Sequence, residues 1–133
     1  PGAVALLTRL NELAIPWAIV TSGSIPVASA RRAAGCLPEP KVFVTAELVK
    51  QGKPAPDAYL LGAERLGLAP ADCIVVEDAP AGILSGLAAG CQVIAVNAPT
   101  DTPKLDQVDL VLHSLEQLVV DATSHGAVVR LLP

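Results

Sequence analysis

The run CIVVEDAPAGILSGLAAGCQVIAVNA, residues 73–98, constrains the fold more than any other part of the chain. It reads as a strand over 73–78, a helix over 81–90 and a second strand over 91–98. Both strands are apolar at successive positions instead of alternating with polar residues. Strands of that kind must be covered on both faces, which is the condition of a parallel sheet held between helices. The helix between them carries Ser85, Gly86, Ala88 and Ala89, a face small enough to lie close against such a sheet.

The rest of the chain extends this alternation. AVALLTRLNELA (3–14) sets Leu6, Leu7, Leu10, Leu13 and Ala14 against Thr8, Arg9, Asn11 and Glu12, an amphipathic helix. IPWAIVTS (15–22) is a buried strand, 25–35 a helix ending at Gly35, and 41–47 a short strand. Pro56 and Asp57 open a helix over 56–67, with Gly67 placed to close it. A strand at 109–114, a helix at 114–120 and a weak strand or tail at 126–133 complete the reading. The expected class is α/β, a Rossmann-like parallel sheet with helices on both faces. Residues 1–120 would form the core domain and 121–133 a variable tail.

Composition narrows the partners. A 133-residue chain that is 52% hydrophobic can build one core. The formal charge of -4 and the lack of a basic run argue against nucleic acid, but a small phosphorylated ligand needs only local neutralisation. No apolar run reaches transmembrane length, so no membrane partner is expected. Cys36, Cys73 and Cys91 lack metal-like spacing; Cys73 and Cys91 read as buried thiols of a cytoplasmic protein.

Ligands of such sheets sit beyond the carboxyl ends of the strands, where this sequence collects TSGS, TAE, VED and NAP. Thr21, Ser22, Gly23 and Ser24 offer hydroxyls and backbone N–H groups at a helix start, either an anion nest or an ordinary N-cap. Lys53 stands in QGKPAPDAY, where Gly52 permits close approach and Pro54 and Pro56 stiffen the loop; the alternative is a solvated surface lysine. Glu77 and Asp78 are adjacent carboxylates at a strand end. One can face the crevice while the other braces the loop, and oxygen-only ligation suits Mg2+. The competing role for Asp78 is to cap the helix beginning near Ala81. His113 and His125 make no recognisable metal pair, and His113 reads as a structural hydrogen bonder. Hydroxyls, one lysine and an acidic pair together point to Mg2+-dependent phosphate chemistry, yet no activated nucleophile is evident.

The succession VTSGS, GKPAPDAY and VVEDAPAG resembles motifs II, III and IV of the haloacid dehalogenase superfamily, from Pro1 to about Val120. The resemblance is to its small bacterial sugar phosphatases and β-phosphoglucomutase-like branch. It implies that Ser22 and the Gly23 N–H hold the transferring phosphoryl group beside Thr21, and that Lys53 pairs with nucleophile and phosphoryl oxygens. It further implies that Asp78 binds Mg2+ directly, Glu77 directly or through water, and that Ser24 touches the leaving sugar. The implied substrate is a phosphorylated sugar or sugar alcohol, hydrolysed through an aspartyl-phosphate by a monomer; a mutase shares the same core. A signalling receiver domain has its acidic pair before its hydroxyl and lysine, the reverse of the order here.

Motif I of that family, Asp-x-Asp-Gly-Thr, does not occur in this sequence. The expectation is therefore the C-terminal part of a longer phosphatase, inactive by itself, or else a non-catalytic regulatory remnant. The motif I strand lies centrally in the family, so the resemblance also implies a gap between the strands at 15–22 and 73–78. Its width would be roughly 9–10 Å, twice the usual strand spacing. Direct pairing of those two strands would exclude that reading.

Overall fold

The computed structural model describes residues 2–123 and 126–132. In chain order the elements are α1 (Ala3–Glu12), β1 (Ala18–Val20), α2 (Ile25–Ala34), β2 (Val42–Val44), α3 (Asp57–Leu66) and β3 (Ile74–Glu77). They continue with α4 (Pro80–Ala88), β4 (Gln92–Val96), β5 (Leu110–Leu112), β6 (Leu118–Thr123) and β7 (Gly126–Leu131).

The unit expected over 73–98 forms as read. β3 and β4 pair in parallel with Val75 opposite Val93 and Glu77 opposite Ala95, and β5 joins the far side of β4 in parallel. Helix α4 lies against this sheet through Gly86. A Cβ there would come within 3.1 Å of methyl groups of both Val75 and Val93, so the small face lets helix and sheet meet closely. Val75, Ile83, Val93 and Ala95 are buried together as the core of this half. Ser85, fully buried, donates its hydroxyl to the Ala55 carbonyl at 2.7 Å and ties α4 to the loop before α3.

β1 and β2 form a separate parallel pair, Ala18 opposite Val42 and Val20 opposite Val44. Helix α3 packs on both strands, with the Cβ position of Gly62 3.0 Å from a Val20 methyl group. Gly67 closes α3 in the left-handed region at φ 74°, the role its sequence position indicated.

The parallel strands thus fall into two sheets, β1–β2 and β3–β4–β5, and β1 does not pair with β3. Each of these two strands has a ladder on one side only. A cavity of about 1060 Å³ is lined by residues of both, including Val20 and Val75, and by Leu6 and Leu10 of α1 and Val120 of β6. Amphipathic α1 has no buried residue; its leucines face this cavity.

The C-terminal region departs from expectation. In place of a helix over 114–120 there is one 3-10 turn, Leu115–Gln117, followed directly by β6. Ser114 and Gln117 make a reciprocal capping box, the helix-start signal present in SLEQ. The helix is not propagated because Val119 and Val120 are β-branched and pair across to Arg130 and Val129. The weak strand or tail at 126–133 supplies β7, antiparallel to β6, so an antiparallel hairpin spans position 120. The strands read over 15–22 and 41–47 shorten to Ala18–Val20 and Val42–Val44.

Candidate active site

The carboxyl ends of β1 and β3 and the loop before α3 bring three groups together around Lys53. Its ammonium lies 3.2 Å from the Val20 carbonyl, 3.2 Å from the Tyr59 hydroxyl and 3.2 Å from Glu77 Oε2. It also sits over the Tyr59 ring, 4.7 Å from the centroid. An ammonium has three protons, and here each has an acceptor. The Lys53 and Glu77 side chains are 9% and 12% exposed, so this lysine is no solvated surface residue.

The Glu77 carboxylate lies against the start of α4. A Cβ at Gly82 would overlap the Glu77 carboxylate outright, so the first turn of α4 leaves the space this carboxylate occupies. Asp78, the next residue, is exposed and makes no hydrogen bond or salt bridge. It does not cap α4: Ala79 is the N-cap and no side chain bonds there. The two adjacent acids are therefore separated in role, one neutralised by Lys53 and one open.

The hydroxyl-rich loop after β1 is partly closed on itself. The Thr21 N–H donates to the Val44 carbonyl at 2.9 Å, and the Gly23 N–H donates to Thr21 Oγ1 at 3.1 Å. The Ile25 N–H at the start of α2 donates to Glu47 Oε2 at 2.9 Å, so a carboxylate from beyond β2 already covers that helix end. Ser24 is the N-cap without a side-chain bond, and Ser22 is exposed. Thr45, at the end of β2, is 3% exposed and its hydroxyl has no hydrogen-bond partner. A cavity of about 180 Å³ opens among Thr21, Ser22, Lys50, Gly52, Lys53 and Ala58. The loop and lysine singled out in the sequence thus share one cavity, while Glu77 reaches it through Lys53.

Tyr59, Glu47 and Lys50 were missed in the sequence. Tyr59 lies within GKPAPDAY at a spacing that places its ring under Lys53, the one local signal that could have found it. Burial first, and then the negative charge of Glu77, push the Tyr59 phenol well above its ordinary value. A raised pKa in the folded state favours the protonated form, so this contribution to stability is present below the ordinary value of about 10 and is lost as pH rises above it. Tyr59 is the one tyrosine of the chain, so tyrosinate absorbance near 295 nm reports this group alone. Alkaline titration is expected to show that absorbance rising together with unfolding followed by circular dichroism. A smooth titration centred near 10 with the fold intact would overturn the burial account.

Among the described residues no three His, Cys, Asp or Glu side chains cluster as a metal cage. Mg2+ does not require one: it takes one or two carboxylates and completes its shell with water and phosphate oxygens. The open carboxylate of Asp78 fits that demand, whereas the Glu77 oxygen nearest Lys53 is already committed.

Parallel strands joined through helices, with hydroxyls, a buried lysine and an acid pair at their carboxyl ends, define a Rossmann-like α/β domain whose polar groups suit an anionic ligand. Residues 1–90 match the family described as haloacid dehalogenase-like hydrolase, and the chain belongs to that family. It is 70% identical over 129 residues to hexitol phosphatase A of Escherichia coli, covering 97% of this chain and 60% of that protein. Glycerol-1-phosphate phosphohydrolase 2 of Saccharomyces cerevisiae is 38% identical over 130 residues, 90% of this chain and 52% of its own length. Among solved structures, CbbY from Rhodobacter sphaeroides in complex with phosphate superposes with a TM-score of 0.78 at 26% identity, over 86% of this chain and 53% of that one. β-Phosphoglucomutase from Clostridium difficile gives 0.75 at 25% identity, over 90% and 52%. The chain spans between half and about 60% of the length of these relatives. Among the described residues no helix is long and apolar enough to cross a membrane.

Proposed function

We propose that this chain carries the phosphoryl-holding and metal-holding side of a Mg2+-dependent phosphatase acting on small phosphorylated sugars or sugar alcohols. The observation that carries the reading is the buried Lys53–Glu77 pair beside the open Asp78, at the strand ends where Ser22 lines the adjoining cavity. In this reading the Ser22 hydroxyl and Lys53 donate to phosphoryl oxygens, and Lys53 exchanges one of its three present acceptors for that contact. Tyr59 and the Val20 carbonyl hold the ammonium in place while it does so. Asp78 would hold the metal ion, whose charge offsets what develops on the phosphoryl oxygens. Ser24 would stand toward the leaving sugar. Use of the Gly23 N–H would require it to turn from Thr21 Oγ1.

In this reading the attacking carboxylate is none of the residues named above. We infer that it arrives on a strand inserted between β1 and β3, a reading supported by their unshared edges, the cavity they line and the fraction of its relatives that the chain spans. The test is phosphate release from a panel of hexose and hexitol phosphates, by the 133-residue chain and by a chain extended upstream to include an Asp-x-Asp-Gly-Thr segment. The extended chain is expected to release phosphate with Mg2+ and not with EDTA, and the short chain to release none. Turnover by the short chain would sink the nucleophile assignment, and turnover in EDTA the metal assignment. The likeness to a β-phosphoglucomutase structure supports a second reading, a sugar-phosphate mutase. Isomerised sugar phosphate as product, instead of free phosphate, would select it.

A further inference from the structure

We propose that Lys50 is the second cation of the anion-binding cavity and takes one oxygen of a dianionic phosphate monoester there; the proposal rests on reading that cavity as the phosphoryl end. The argument begins with charge. Lys53 is matched one to one by Glu77 at 3.2 Å, and its three protons are spoken for by Glu77, Tyr59 and Val20. The pair therefore brings no net charge to a ligand that carries nearly two negative charges. Lys50 lines the same cavity of about 180 Å³, three positions along the same loop, and makes no hydrogen bond or salt bridge. No carboxylate lines this cavity with it.

The neighbours of Lys50 strengthen the case. Ala46, Val49 and Ala58 complete the cavity wall, and Lys50 stands exposed at its rim with no acid beside it there. Gly52 has nothing within 4 Å of its Cβ position, so the backbone between the two lysines is open to an incoming ligand. Thr21 and Ser22 add hydroxyls to the lining. Lys53 is fixed and Lys50 is adjustable. The first orients a phosphoryl group by exchanging one of its acceptors, and the second supplies net positive charge with no acceptor of its own to give up.

The experiment titrates the 133-residue chain with inorganic phosphate in the absence of metal, following amide resonances of Ser22 and Gly52. Both are expected to shift saturably. Lys50 is exposed, so solvent screens its contact, and Lys50→Gln should weaken phosphate binding about two- to fivefold, with Lys50→Arg restoring most of it. Unchanged affinity in Lys50→Gln, with the shifts at Ser22 and Gly52 intact, would overturn the role of Lys50 and leave the proposed function standing. No shift at either residue in the unaltered folded chain would overturn the phosphoryl reading of the cavity itself. A second measurement avoids variants: acylation of Lys50 in the unaltered chain, read by mass spectrometry, is expected to slow several-fold in phosphate. Equal labelling with and without phosphate would count against the proposal.

Discussion

Replacing Lys53 with Met is expected to lower the stability of the domain by about 3 kcal/mol. Removing one partner of a buried ion pair costs about 3–5 kcal/mol, because the remaining charge is left without compensation. Glu77 is 12% exposed, which leaves some access to water and places the effect at the lower end. The Val20 carbonyl and the Tyr59 hydroxyl lose their donor in the same step. Urea unfolding of the chain and its Lys53→Met variant, at unchanged slope, measures the difference. A shift below about 1 kcal/mol would mean that water replaces the ammonium without difficulty, and the pair could not then be called buried. The double variant Lys53→Met, Glu77→Leu should recover much of the loss, since two apolar side chains leave no orphaned charge. In a complete enzyme Lys53→Met should lower kcat about 10²–10³-fold, the scale for losing one donor to a developing anion.

Gly82→Ala carries the second large effect, and two opposing terms decide its sign. Alanine in a helix is favoured over glycine by about 1 kcal/mol. The added methyl group would occupy the position of the Glu77 carboxylate, which must then swing off Lys53. Loss of a buried pair outweighs the helical gain, and the net expectation is destabilisation by about 1–2 kcal/mol. The double-mutant cycle is the sharper measurement. In a Glu77→Ala background the obstacle is gone, and Gly82→Ala should become neutral or stabilising. A Gly82→Ala variant equally destabilising in both backgrounds would place the cost elsewhere in α4.

The contrast between what the chain announces and what it conceals follows from the range of the interactions. β3, α4 and β4 were readable because the apolar runs, the small helix face and the flanking turn residues agree within 26 residues, 73–98. Gly67 was readable for the same reason. The segment at 114–120 was not, because its capping box is local whereas its β-partners, Val129 and Arg130, lie further on, in β7. At the site, GKPAPDAY and VVEDAPAG marked Lys53 and Glu77 as residues of interest. Their pairing across 24 positions depends on where the loop before α3 falls against the end of β3. Glu47 on the α2 terminus spans 22 positions and carries no motif. Lys50 lies three positions before Lys53 and belongs to no motif read in the sequence.

Lys53 donates to Val20 on β1 and to Glu77 on β3, two strands that share no ladder. That side chain therefore links the two sheets at their carboxyl ends, alongside the Ser85–Ala55 hydrogen bond and the packing of α3 on α4. Ladders normally make neighbouring strands open together. Here the two sheets share no ladder, and the Lys53–Glu77 pair is one of the links between them. In the proposed reading, a phosphoryl group that draws Lys53 off Glu77 would loosen that link. Occupancy of the site would then be felt as a change in how stiffly one half of the domain follows the other.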